Sequence, residues 1–265
     1  MHSTRAGGPV RDVRLGQGDE NRTGIRGFAP CRRTAVVRSL VVVTTMTEHL
    51  AALAARPRMR GWLHVWAFIV SILAGLVLVA VAGSTRGAEA ALATSVYALT
   101  VMLLFGTSAT YHRVRWSTPA RRALLARLDH SMIFVFIAGT YTPFALLAMP
   151  ERTGRAILAV VWFGALGGVL LKTSWISAPR WLSVPLYLGL GWVAVVVLPS
   201  LLQHGGVAAF VLIIVGGLVY TLGGIVYGLK RPDPWPRTFG YHEVFHLCTV
   251  VAASCHMVAV WLAVY

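Results

Sequence analysis

The stretch Gly240–Tyr265, GYHEVFHLCTVVAASCHMVAVWLAVY, opens with two histidines, His242 and His246, and then runs apolar to its end. It has the roughly 20 residues that a helix needs to cross a hydrocarbon core. Imidazoles are costly in lipid, so something at the same depth must stabilise this pair. What that is depends on how the rest of the chain crosses the membrane.

The whole sequence has the composition of a membrane protein. Of its 265 residues, 57% are hydrophobic and only 12% charged, and the mean hydropathy is +0.69. An ordinary soluble domain carries about 25% charged residues. The apolar runs lack the alternation of barrel strands, which leaves an all-α, polytopic bundle. Seven spans are expected, at 62–82, 90–111, 130–149, 156–175, 182–202, 207–228 and 242–263. Paired glycines in the sixth, VLIIVGGLVYTLGGIVYG, suit close helix packing.

The net charge of +15 could suggest nucleic acid, but no polar domain is there to carry such a patch. The basic residues instead cluster in alternate loops. Arg113, Arg115, Arg121, Arg122 and Arg127 follow the second span, Lys172 and Arg180 the fourth, and Lys230, Arg231 and Arg237 the sixth. The other loops carry Arg86, then Arg152 and Arg155, then none. This asymmetry predicts a cytoplasmic N-terminus, an external C-terminus and multi-pass insertion in the cell membrane. Residues 1–45 read as a basic disordered leader, and translation from Met46 would remove them, leaving 46–265 as the membrane domain. Cys31, Cys248 and Cys255 form no CxxC pair, which argues against a disulfide framework or a thiolate zinc site.

With that topology, polar residues far apart in sequence share the cytoplasmic leaflet. The second span ends there in SATYH, Ser108–His112; the third begins there with Asp129 and His130; the seventh begins with His242 and His246. The last two are four residues apart, on one helix face and about 6 Å apart along the axis. That spacing lets two imidazoles share one zinc ion, and His112 can supply a third nitrogen, leaving the open position of a catalytic site. Asp129 would offset the charge of the ion and hold a water, while Ser108, one turn from His112, would orient a ligand or a substrate oxygen. The competing reading is a set of histidines solvated at the interface, since HxxxH pairs also arise by chance. His256 is expected to hydrogen-bond inside the bundle, His130 to point about 100° away from Asp129, and His2, His49, His64 and His204 to be solvated. Glu243 reads as an interfacial charge, and Pro143 in GTYTPF as a helix end or kink.

Three of these segments, SATYH, LDHSMIFVFIAGTYTPF and YHEVFH, carry a resemblance. In order and position they resemble the hemolysin III family, related to the progestin and adipoQ receptors and, more widely, to alkaline ceramidases. The resemblance runs from about residue 50 to the C-terminus. It implies a seven-helix bundle with zinc near the cytoplasmic face, held by His112, His242 and His246, with Asp129 beside the metal and Ser108 as the serine of the SxxxH motif.

The function expected from residues and resemblance together is zinc-dependent hydrolysis of a lipid amide bond within the membrane, with Asp129 as base and Ser108 steadying the oxyanion. A membrane lipid would be the partner. Two other classes remain open: a pore-forming cytolysin or channel, which needs a continuous polar lining, and a receptor in which zinc is structural.

Overall fold

The computed structural model describes residues 57–264. The leader and Met46, together with His2, His49 and Cys31, lie outside the described residues. Within them the chain is helical and contains no strand. In order, the helices are α1 (Trp62–Arg86), α2 (Ala88–Arg113), α3 (Pro119–Leu147), α4 (Glu151–Ser174), α5 (Arg180–Trp192), α6 (Ala194–His204), α7 (Gly206–Leu229) and α8 (Tyr241–Val264). Six of them, all but α5 and α6, are long and apolar enough to cross a membrane. Their outer faces carry Leu73, Leu92, Phe163 and Leu218 in the open. Apolar exposure on this scale suits lipid and not water. The protein is a multi-pass membrane protein.

Local chemistry sets the boundaries. A single residue, Gly87, joins α1 to α2, and its φ of 87° is a conformation that side chains disfavour. Thr118 caps α3 by accepting from the Arg121 N–H, and Pro119 occupies the first turn, where its missing donor costs nothing. This start lies 11 residues before the expected third span, because PARRALLARL, read as loop, continues the helix. Pro143 is interior and not an end, since α3 continues to Leu147.

The fifth run departs most from expectation. Residues 182–202 fall on two short helices, α5 and α6, that meet at Val193. Tyr141 of α3 supplies a physical reason. Its hydroxyl donates to the Gly191 carbonyl at 2.6 Å. In an unbroken helix that carbonyl would accept from Val195. Gly189 and Gly191 weaken the same turn.

The successive pairs α1–α2, α2–α3, α3–α4 and α7–α8 pack side by side, and α8 also closes the bundle against α1 and α3. The paired glycines of α7 seat α8, as expected: a Cβ on Gly216 would meet the His256 ring and one on Gly223 the Cys248 Cβ. Contacts at both ends show that α1 and α8 run parallel. Arg60, just before α1, pairs with Glu243 in the first turn of α8, and Arg86 at the end of α1 donates to the Val264 carbonyl at 2.8 Å. The apolar core between α2, α3 and α8 is built on Tyr97, Val101, Phe105, Phe136 and Val260.

Gly139 sets the α2–α3 spacing, because a Cβ there would lie 2.8 Å from the Thr100 Cβ. Gly139→Ala is therefore expected to destabilise the bundle by about 1–3 kcal/mol through overpacking, read as a lower melting temperature in detergent.

Candidate metal centre

The ends of three helices meet beside the third turn of a fourth, α3. α2 contributes Ser108 and His112 from its last turns, α3 contributes Asp129, and α8 contributes His242 and His246 from its first two turns. The first turn of α1 adds His64. One potential ligand nitrogen from each of His112, His242 and His246 lies within 4.8 Å of the other two. The Nε2 atoms of His112 and His242 are 3.3 Å apart. Nitrogens bound tetrahedrally at 2.0–2.1 Å from one zinc ion would sit about 3.3–3.4 Å apart, so this edge already has the right length. His246 Nδ1 is buried with no hydrogen-bond partner, the state of a donor awaiting an ion or a water. These three residues could hold a metal ion, and an all-imidazole set suits zinc and its borderline neighbours.

The surroundings keep the rings in place. Asp233 accepts from the Tyr241 N–H at 2.8 Å, and Glu243 accepts from the Gly240 N–H at 2.9 Å. The second contact is half of a capping box, which fixes the turn that carries His242. Glu243, expected as an interfacial charge, is instead fully buried, with Arg60 as its ion partner. The segment before α1 lies along the loop before α8, where Arg58 and Met59 donate to the Arg237 and Thr238 carbonyls at 3.1 Å. Gly61 then turns the chain against His112. Its φ is 81°, and a Cβ would come within 2.7 Å of the His112 Cβ, so neither the dihedral nor the space admits a side chain.

His64 was expected to be solvated and is not. It is buried, and its ring stacks on that of His246 with centroids 3.8 Å apart and planes inclined by 12°. The signal was present, because His64 opens the first span on the same side as the second span ends. Asp129 lies beside the cluster with Oδ2 3.8 Å from His112 Nε2, and Ser108 sits next to its carboxylate. His130 does not point away from that carboxylate: its Nδ1 is 3.9 Å from Asp129 Oδ2, although its hydrogen bond goes to the Ala126 carbonyl at 2.7 Å. His256 reaches the Ile213 carbonyl at 3.4 Å, the intrabundle bond expected of it.

From the cluster a cavity extends into the bundle. Asp129, His242 and His246 line its near end, and Ile133, Phe136, Ile137, Tyr141 and Phe144 follow along α3. Fifteen residues of helix separate Asp129 from Phe144, about 22 Å of apolar passage.

Such a bundle, with a three-histidine cluster at one end of an apolar cavity, defines a class of helical membrane proteins with a metal-competent interior. Comparison with known proteins narrows it. The family profile described as "Haemolysin-III related" matches residues 53–257, and the chain belongs to that family. Hemolysin-3 of Bacillus cereus is 31% identical over 179 residues, covering 68% of this chain and 78% of that protein. The Hemolysin-3 homolog of Bacillus subtilis (strain 168) is 30% identical over 178 residues, covering 67% and 80%. A rice protein, "Heptahelical transmembrane protein ADIPOR2", is 28% identical over 182 residues, covering 62% and 79%.

His64→Ala is expected to leave the three ligand nitrogens in place but weaken metal binding by about 10-fold, since groups that orient ligands typically contribute that much. Competition against a chelator measures it, and unchanged affinity would make the stacking incidental.

Proposed function

We propose that the chain is a seven-span hydrolase of the cell membrane that holds zinc on His112, His242 and His246 and cleaves the amide bond of a membrane lipid. The observation that carries this reading is the position of the cluster, at one end of a long apolar cavity and beside an acid. An extended acyl chain within one leaflet spans about half of the ~30 Å hydrocarbon core. The cavity accommodates that length.

The parallel run of α1 and α8 supports the count of seven. A chain that crosses only six times ends antiparallel to its start, so α5 and α6 together supply one further, broken crossing. The rice relative carries the word heptahelical in its name. Arg60, Arg113, Arg180 and Arg237 gather around the end that holds the histidines, which supports placing that end and the N-terminus in the cytoplasm.

Zinc bound there supplies Lewis acidity, which polarises a carbonyl and makes water acidic near neutral pH. The other tasks fall to side chains. Asp129, too far from His112 for a direct hydrogen bond at 3.8 Å, has an oxygen able to take a proton from water and return it to the departing amine. Ser108, next to that carboxylate, has a hydroxyl able to steady the oxyanion. Apolar walls keep bulk water from the acyl chain.

A structural role for the metal is the second reading, favoured by the meeting of the end of α2 with the start of α8 at the cluster, which an ion would staple together. The name of the bacterial relatives points to a pore, yet the α3 face of the cavity is apolar along most of its length, and a pore needs a polar lining.

The test combines metal content, melting temperature and cleavage of a defined N-acyl lipid by the purified protein. His246→Ala should lose stoichiometric zinc. Asp129→Asn should keep zinc and lose about 10²–10⁴-fold in turnover. Stabilisation by zinc without turnover of any N-acyl lipid would favour the staple, and full turnover by Asp129→Asn would remove that residue as base.

A further inference from the structure

A second cavity, of about 300 Å³, opens between the last turn of α4 and the first turn of α5. Lys172, Arg180, Ser183, His130, Tyr187 and Tyr227 line it, and no carboxylate does. Lys172, counted among the loop charges in the sequence, is 2% exposed, and its Nζ donates to Ser183 Oγ at 2.5 Å. Neither Lys172 nor Arg180 takes part in any of the ion pairs among the described residues. Arg180 lies over the Tyr227 ring at 4.7 Å, and its Nη2 donates to the Tyr241 hydroxyl at 3.4 Å. Its Nη1 is buried without a partner.

Two cations facing one cavity repel each other, and their burial is costly unless countercharge is present. The carbonyls at the end of α4 offset part of this for Lys172, but Arg180 stands at the first turn of α5, where the helix dipole is also positive. One group with several acceptor oxygens would face the ammonium, the guanidinium and the Tyr227 hydroxyl together, while the Ser183 and Tyr187 hydroxyls donate to the Ala178 and His130 carbonyls at 3.5 and 3.4 Å. A guanidinium fork and an ammonium together suit a phosphate group better than the two coplanar oxygens of a carboxylate.

We propose that this cavity is a phosphate-binding site, filled either by the headgroup of a single-chain lipid or by a free phosphate ion. His130, Tyr187 and Tyr227 also line the apolar cavity that leads from the histidine cluster. The two spaces therefore adjoin, and a lipid phosphate held by Lys172 and Arg180 can send its chain along α3 past Asp129. The site stands independently of the hydrolase reading, and its test reads binding alone.

The full-length, zinc-loaded protein in neutral detergent is titrated with hexadecyl phosphate, hexadecanol and inorganic phosphate. Hexadecyl phosphate should bind at least about 10-fold more tightly than hexadecanol, the gain expected of charged hydrogen bonds. Lys172→Met and Arg180→Gln should each abolish that preference without changing zinc content. Because Lys172→Met removes a buried group and can misfold, the half-buried Arg180 gives the variant that decides. Inorganic phosphate binding as tightly as the alkyl phosphate, and lost in the same variants, would support the site and assign it to the soluble ion. Equal binding of the alkyl phosphate and the alcohol, or a preference that survives in folded Arg180→Gln, would overturn the proposal.

Discussion

The approach of His112 to His242, 3.3 Å between their Nε2 atoms, is the constraint on which the rest of this molecule depends. Two imidazoles from helices 130 residues apart come this close inside an apolar bundle only if something compensates for their desolvation. A proton shared between them would do so in part, and an ion held with His246 would do so more fully. The scaffold is arranged around this point. Gly61 lets the chain pass against His112, Glu243 closes the first turn of α8, and Arg60 ties that turn to the start of α1. None of these residues need touch a metal, yet each limits where a ligand nitrogen can move.

Function in this fold resides where helices end. Interiors of the long helices are apolar and interlock through small residues, such as Gly139 against Thr100 and Gly223 against Cys248. Most of the chemically able side chains sit instead near helix ends, where backbone groups lack helical partners and polar neighbours are already needed; Asp129, in the third turn of α3, is the exception. The same logic explains the neighbouring cationic cavity, placed where α4 ends and α5 begins. The two polar places share His130, Tyr187 and Tyr227, and the apolar cavity runs away from them into the bundle.

The break between α5 and α6 shows how tertiary contact overrides composition. Residues 182–202 are apolar enough and long enough to read as one span, and nothing in their hydropathy marks Val193. Tyr141 captures the carbonyl that would have continued the helix, and Tyr141 belongs to another segment some 50 residues earlier. GTYTPF looked like the end of a helix. It lies inside one and interrupts another.

The sequence by itself determined that the chain is helical and membrane-embedded, and that Ser108, His112, Asp129, His242 and His246 share one side. Hydropathy counts residues against bilayer thickness, and arginines report on sidedness, so both properties are local and additive. Only the tertiary structure decided which helical faces meet. It buried His64 against His246, turned His130 toward Asp129, enclosed Glu243 with Arg60, and took Lys172 from a presumed loop into a pocket. A residue near the end of a span looks the same in sequence whether its side chain reaches water or a neighbouring helix. The difference lies in how neighbouring helices rotate and pack, which depends on every contact at once.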